Sequence, residues 1–237
     1  MSNDITRNPT RTPLGRRMFL GLVGLGAAGI AFGADAQKLI GNKLGSGLAS
    51  LLPGGDHFRI YTITGNYPYI STSKYQLKVS GLVEHPMTLS FDDLRALPSI
   101  KMVKGFQCVT GWRVDNVEWK GVRLSHILEL AGVQPSAIAM SFDSYDGMDT
   151  ESLTLDQAHI SDVIVAYEMY GKTVSRAHGG PVRLVVPQMY GYKSLKWLSG
   201  IRVMDQVEPG FWEQNGYPVN GWLDGSTGST NPNPNLS

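Results

Sequence analysis

One cysteine, Cys108, is all that this chain of 237 residues contains. An intramolecular disulfide is therefore excluded, as are a c-type haem attachment site and a cysteine-ligated iron–sulfur cluster. Acidic residues are missing from one long stretch, since no Asp or Glu occurs between Gly171 and Val203. That stretch also lacks the GxGxxG and GxxxxGKS/T fingerprints, which argues against a nucleotide bound in the Rossmann or P-loop manner. The net charge is only +1, so no overall field singles out nucleic acid or anionic lipid as a partner. Any electrostatic signal has to be local.

What is present begins with an address. Arg7, Arg11, Arg16 and Arg17 precede an uncharged run of 17 residues from Met18 to Ala34, at the low edge of what spans a bilayer. Its many glycines make it weakly hydrophobic, and Ala34-Asp35-Ala36 offers a small-x-small cleavage pattern. Arg16-Arg17-Met18-Phe19-Leu20 resembles a twin-arginine export signal. Residues 1–36 are thus expected to be a signal peptide that sends the chain to the periplasm or another extracytoplasmic space. If uncleaved, they would act as a membrane anchor. Residues 37–55 read as a linker, 56–224 as one domain, and the Gly/Ser/Asn/Pro-rich residues 225–237 as a disordered tail.

Within the domain, short apolar runs bounded by turn residues predict strands at Tyr75–Val79, Met87–Leu89, Ile100–Phe106, Ile138–Phe142, Val163–Met169, Val182–Val186 and Gly200–Met204. Ser90 and Asp93 form a capping-box pattern that starts a short helix before Pro98. Leu124, Ile127, Leu128 and Ala131 make a helical stripe that Gly132 ends, and 155–159 suggests one helical turn. The expected class is α+β, with more strand than helix.

Two places promise chemistry. Gly171–Val203 carries Lys172, Arg176, Arg183, Lys193, Lys196 and Arg202 without an acid among them, which points to a small phosphorylated ligand. A plain basic surface, or one near lipid, is the alternative. Cys108 sits where a strand runs into a Thr/Gly loop, with Lys104 and Arg113 close in sequence; such cations would lower its pKa and favour the metal-binding thiolate. A buried structural thiol is the plainer reading, but a core Cys usually lies inside an apolar run.

Gln107-Cys108-Val109-Thr110-Gly111-Trp112, with Trp119-Lys120-Gly121-Val122-Arg123-Leu124, resembles the metal-binding block of the sulfite oxidase family. His178-Gly179-Gly180-Pro181-Val182-Arg183, followed by Tyr190-Gly191-Tyr192-Lys193-Ser194-Leu195-Lys196-Trp197-Leu198, resembles its pterin-binding block. The likeness runs from about Phe58 to Asp205, and the chain looks similar in particular to the catalytic subunits of bacterial periplasmic methionine-sulfoxide reductases. It implies a sulfite oxidase-type molybdopterin-binding domain of mixed sheets and short helices, holding a molybdenum–molybdopterin cofactor. Cys108 would ligate the metal; His178 and Arg183 would hold the pterin phosphate and ring; Ser194, Leu195 and Lys196 would clamp the cofactor. Ser144 falls where a hydroxyl residue contacts the pterin, Arg59 and Tyr61 lie in a segment lining the same pocket, and Arg113 is the candidate for holding an oxo-substrate. His178 is the residue of sulfite oxidases, where the methionine-sulfoxide reductases carry an amide, so the resemblance implies a reaction class and not sulfite itself.

The implied reaction is oxygen-atom transfer on a small oxo-substrate. With no haem or iron–sulfur cluster expected on this chain, electrons would pass to or from a membrane haem- or quinone-linked subunit or a soluble cytochrome. Nucleic acid is not expected as a partner. Trp212, Tyr217 and Trp222 would form either a docking surface or the packing of a C-terminal segment across the domain. Two rivals stand against this reading: a non-catalytic extracytoplasmic module that binds an anion, and a thiol-dependent enzyme with Cys108 as nucleophile. The second needs a His–acid partner that no motif supplies.

Overall fold

The computed structural model describes residues 58–223. The signal segment 1–36, the linker 37–55 and the tail 225–237 lie outside the described residues. Among those described, no helix is long and apolar enough to cross a membrane.

Ten strands and four short α-helices follow in the order β1 (Gln76–Gly81), β2 (Met87–Ser90), α1 (Phe91–Ala96), β3 (Ser99–Gln107), β4 (Arg113–Arg123), α2 (Leu124–Ala131), β5 (Ala139–Ser144), β6 (Thr150–Thr154), α3 (Leu155–Ala158), β7 (Ile164–Met169), β8 (Lys172–Thr173), β9 (Arg183–Val185), β10 (Leu198–Met204) and α4 (Phe211–Gln214). One sheet has the order β2-β1-β10-β5-β6, and the other β3-β4-β7-β8 with β9 also on β7. Among the described residues, the only parallel pairing within the two sheets joins β1 to β10, the first strand to the last. That long-range pairing fastens the two ends of the domain to each other, with Val79 opposite Ile201.

Local chemistry explains the elements. In β1, Leu77 and Val79 are buried while Gln76 and Lys78 face out, the period-2 pattern of a half-buried strand. α1 begins with the expected box: Ser90 Oγ accepts from Asp93 N at 3.1 Å, and Asp93 Oδ2 accepts from Ser90 N at 2.9 Å. The Asp93 carboxyl is held below its ordinary value, first by the Ser90 hydroxyl and then by the Ser90 amide. α2 buries Leu124, Ile127, Leu128 and Ala131, and Gly132 ends it in the left-handed conformation at φ 65°. These side chains meet Leu77 and Val79, Phe142 of β5, Val165 and Tyr167 of β7, and Ile201 and Val203 of β10 in the main core. A smaller core joins Trp112, Val114, Val117 and Trp119 to Ile164, Ala166 and Val185, with Phe58, Tyr61, Phe106 and Cys108 packed on its edge.

Three strands, β4, β6 and the two-residue β8, are absent from the sequence-based expectation. β4 is eleven residues long, yet Asp115-Asn116 looks like a turn. Asn116 takes φ 54°, the register against β3 shifts there, and the spacing of Val114 and Val117 loses its alternation. β6, with sequence TESLT, carries polar side chains into the interior, so its hydrophobic signal is almost absent.

Leu128→Ala is expected to cost ~2–5 kcal/mol of stability in urea unfolding followed by circular dichroism. A loss below about 1 kcal/mol would mean that α2 is not packed as described.

Candidate active site

β3 and β4 form a hairpin whose last pair is Gln107 with Arg113, so Cys108 stands at its tip. Cys108 N donates to Trp112 O at 2.9 Å, Gly111 N donates to Cys108 O at 3.0 Å, and Gly111 makes the turn with φ 93°. The thiol lines a cleft of about 1030 Å³, its open mouth included. Arg59, Tyr61, His178, Arg183, Ser194 and Lys196 line the same cleft. Residues far apart in sequence, expected at one site, are therefore together.

Arg183 organises the basic side. It is 3% exposed. Its guanidinium donates to Leu184 O at 3.3 Å, His178 O at 2.8 Å and Ser194 O at 2.8 Å, and lies 5.6 Å and 5.4 Å from the ring centres of Phe106 and Trp119. Three of about five N–H donors are thus committed, which leaves two for an anion. Burial lowers its pKa to about 9. A Cβ on Gly191 would strike the Phe106 ring, so glycine is what lets the 191–193 turn rest on that aromatic face. Gly179, at φ 95°, gives way in the same manner to the Lys196 side chain. Lys196 donates to Tyr61 O. The next residue, Trp197, is held at φ 56°, a costly conformation for a bulky side chain. Its N donates to Gly179 O and its indole N–H to Arg176 O, each at 2.9 Å.

The cleft pushes its ionisable groups toward their neutral forms. Burial, then Arg183 and Lys196, lowers His178 to about 4. Burial brings Lys196 down to about 8 against the pull of Asp149. Burial raises Asp149 to about 7 against Lys196. The Cys108 thiol is also raised, because burial outweighs a hydrogen bond from Thr110 Oγ1 at 3.2 Å and the charges of Arg59 and Lys196. This corrects the expectation of a thiol activated by its sequence neighbours. Lys104 is paired with Asp162 at 2.7 Å and Arg113 with Asp115.

Arg113 is the one predicted catalytic residue that the fold takes elsewhere. It occupies an outward position of β4 next to inward Val114, is exposed, and does not line the cleft. Leu195 lies in the main core and touches the site only through the backbone, its O accepting from Leu184 N at 2.9 Å. Ser144 is buried behind the cleft: its hydroxyl donates to Asp146 Oδ1 at 2.5 Å and accepts from Asp149 N at 3.1 Å, which orients two acids that do line it. Of the six cations between Gly171 and Val203, only Arg183 and Lys196 reach the cleft. Lys193 is neutralised by Glu151 and Glu213, Arg202 pairs with Glu208 at 2.8 Å, Arg176 donates to Tyr67 O at 2.5 Å, and Lys172 is exposed on β8.

Sequence reasoning missed the walls. Phe58, Phe106 and Trp112 pack together in the cleft wall with ring centres 5.3–6.0 Å apart, Phe106 stacked on Trp112 and Phe58 tilted or edge-on to both. Tyr192, Trp212 and Tyr217 also line the cleft, and burial, then Cys108 nearby, raises the Tyr217 phenol to about 12. The C-terminal aromatics therefore pack, as the second of the two readings had it, but two of them face the cleft.

The family described as oxidoreductase molybdopterin binding domain matches residues 64–212. The chain belongs to that family. This oxidoreductase is 43% identical over 160 residues to the uncharacterized oxidoreductase YuiH of Bacillus subtilis, covering 67% of this chain and 80% of that protein. It is 33% identical to the sulfite oxidase of Arabidopsis thaliana over 61% of this chain and 46% of the other. It is 28% identical to the protein-methionine-sulfoxide reductase catalytic subunit MsrP of Campylobacter jejuni, over 70% and 59%. Among solved structures, the sulfane dehydrogenase SoxCD of Paracoccus pantotrophus is similar with a TM-score of 0.55 and 26% identity, covering 60% of this chain and 41% of that one. The fold is thus the sulfite oxidase-type molybdopterin domain.

The residues present suit such a cofactor. Asp149 Oδ1, a buried acceptor, and Trp112 Nε1, a buried donor, have no hydrogen-bond partner, and both residues line the cleft. A pterin ring, with amide and amino groups on its edge, offers both complements.

In cofactor-free protein, the iodoacetamide rate of Cys108 is expected to titrate above about 8.5, the ordinary thiol value. Arg59→Met removes a cation that favours the thiolate, so it is expected to move the midpoint further up. A midpoint below the ordinary value would contradict the burial described.

Proposed function

We propose that this chain is an exported oxidoreductase that binds molybdenum–molybdopterin in the cleft, through a Cys108 thiolate, and transfers an oxygen atom to or from a small substrate. The observation that carries the reading is the meeting of the chain's single thiol with Arg183, Lys196 and the Asp149 carboxyl, whose Oδ1 lacks a partner, in one cleft. When bound, the group supplies the two-electron couple and the place where oxygen is exchanged. In the reductive direction the balance is one oxide, two electrons and two protons to the reduced substrate and water.

The chain's own residues would hold, shield and supply protons. Arg183, His178, Ser194 and Lys196 would hold the cofactor, with Arg59 and Tyr61 on the facing segment. His178, neutral at physiological pH, would serve as a hydrogen-bonding group and not as a charge. Tyr217 keeps its proton until about pH 12 and can donate it in a hydrogen bond to a substrate oxygen. Asp149 and Lys196, titrating at about 7 and about 8, can give or take protons near neutrality. Arg113 is left without a catalytic part. The aromatic walls favour an uncharged organic oxide, such as a sulfoxide or N-oxide, over a bare oxyanion such as sulfite. The twin-arginine segment supports export, and a membrane haem- or quinone-linked subunit or a soluble cytochrome would exchange the electrons.

Protein purified from a molybdenum-replete host is expected to carry close to stoichiometric molybdenum by elemental analysis, and to lose it in Cys108→Ser. Arg183→Ala is expected to weaken retention ~10–100-fold. A screen with an artificial electron donor should turn over sulfoxides or N-oxides faster than sulfite is oxidised with an acceptor. Metal-free protein that still binds anions in the cleft would favour the non-catalytic module instead.

A further inference from the structure

Three ionisable side chains that this chemistry does not use are buried together behind the cleft. Lys193 is wholly buried, and its ammonium donates to Glu151 Oε1, to Glu213 Oε1 at 2.6 Å and to Ser152 O at 2.7 Å. Glu151 Oε1 also accepts from Ser152 N at 2.7 Å, and the Glu151 and Glu213 carboxyls lie close enough to share a hydrogen bond. Two carboxyl groups around one ammonium, out of reach of water, leave one negative charge in excess unless a proton stays on. Burial, and Glu213 beside it, raise the Glu151 carboxyl well above its ordinary value despite Lys193. Lys193 keeps its own proton, because the two carboxyls outweigh the effect of burial.

Buried ion pairs are a poor way to gain stability when apolar side chains would fill the same space. What this cluster joins is more telling. Lys193 ends the 191–193 turn, Glu151 lies in β6 and Glu213 in α4. Each has neighbours in the chain that line the cleft: Tyr192 and Ser194 around Lys193, Asp149 before Glu151, and Trp212 and Tyr217 around Glu213. The Tyr217 ring packs 5.2 Å from Tyr192 and 5.6 Å from Trp212, and the Tyr192 hydroxyl donates to Pro218 O at 2.7 Å. Two glycines bring the C-terminal segment against the cluster. A Cβ on Gly210 would meet Glu213 Oε2 at 2.8 Å, and one on Gly221 would meet Lys193 Cγ at 2.9 Å.

We propose that Lys193, Glu151 and Glu213 form a buried ionic latch that positions the active site by fastening the segment with Trp212 and Tyr217 over the cleft. The latch is a positioning device, since none of its three residues lines the cleft. It rests on the cleft being the functional site but not on what the cleft binds.

Because Cys108 is the only thiol, its alkylation rate in the cofactor-free full-length chain measures access to the cleft. Glu213→Ala leaves the Lys193–Glu151 pair intact and releases α4 alone. It is expected to raise that rate ~tenfold or more, with faster hydrogen exchange confined to residues 205–223 and an unchanged circular dichroism spectrum. Lys193→Met is expected to open the same segment. Glu213→Gln, which still accepts from Lys193, should stay within about threefold of the parent rate. Three results would overturn the latch: parental alkylation and exchange in both Glu213→Ala and Lys193→Met, exchange accelerated equally across both sheets, or failure of both variants to fold. Molybdenum content does not enter these readouts, so a failure of the cofactor reading would be seen separately.

Discussion

A full positive charge lies inside this domain with no carboxylate at its side. Arg183 is held by three backbone carbonyls and two aromatic faces, and that arrangement organises everything around the cleft. By donating to His178 O and Ser194 O it ties together the two stretches that frame the cofactor side. By lying between Phe106 and Trp119 it joins both to the β3–β4 hairpin that carries Cys108. Carbonyl dipoles satisfy the N–H groups but do not cancel the charge, so a cavity beside Arg183 is predisposed to an anion. The depressed pKa measures that discomfort, and a phosphate-bearing ligand would relieve it.

The chain's residues announced this site unevenly. The Cys108 loop and the Arg183 strand could be read because their signals are local: a strand that ends in Thr-Gly, and a Gly-Gly-Pro turn that feeds an apolar run. α2 and the α1 capping box were legible for the same reason, since periodicity and capping act over three or four residues. β4 was hidden by Asn116, whose positive φ breaks the alternation that identifies a strand. β6 was hidden because Glu151, Ser152 and Thr154 are buried polar residues, and their partners lie elsewhere in the chain. Arg113 was misjudged because nearness in sequence to Cys108 says nothing about which face of a strand a side chain takes.

The cationic stretch teaches the same lesson in charge. From sequence it lacks any compensating acid, yet Lys193 finds one carboxylate 42 residues before it and another 20 residues after it. Arg202 reaches forward to Glu208, and Arg176 to a backbone carbonyl. Counting charges along the chain gave the correct direction, toward an anion, but overstated how many cations serve it. The cleft's positive character comes from Arg183 and Lys196, with Arg59 contributed by a segment more than a hundred residues away.

Burial sets the protonation of the whole cleft, and this bears on how a thiol with a raised pKa can serve a metal. A low pKa is useful to a cysteine that must attack; one that must hold a cation needs only to lose its proton when the cation arrives. A raised value keeps the free thiol protonated and slow to react. The same desolvation that neutralises Cys108 also weakens Lys196 and leaves His178 uncharged, while Asp149 titrates near neutrality. An incoming anionic ligand would then draw Lys196 back to its charged form, and a metal would draw the proton from Cys108. Each change would make the other easier, so loading of the site would be electrostatically cooperative.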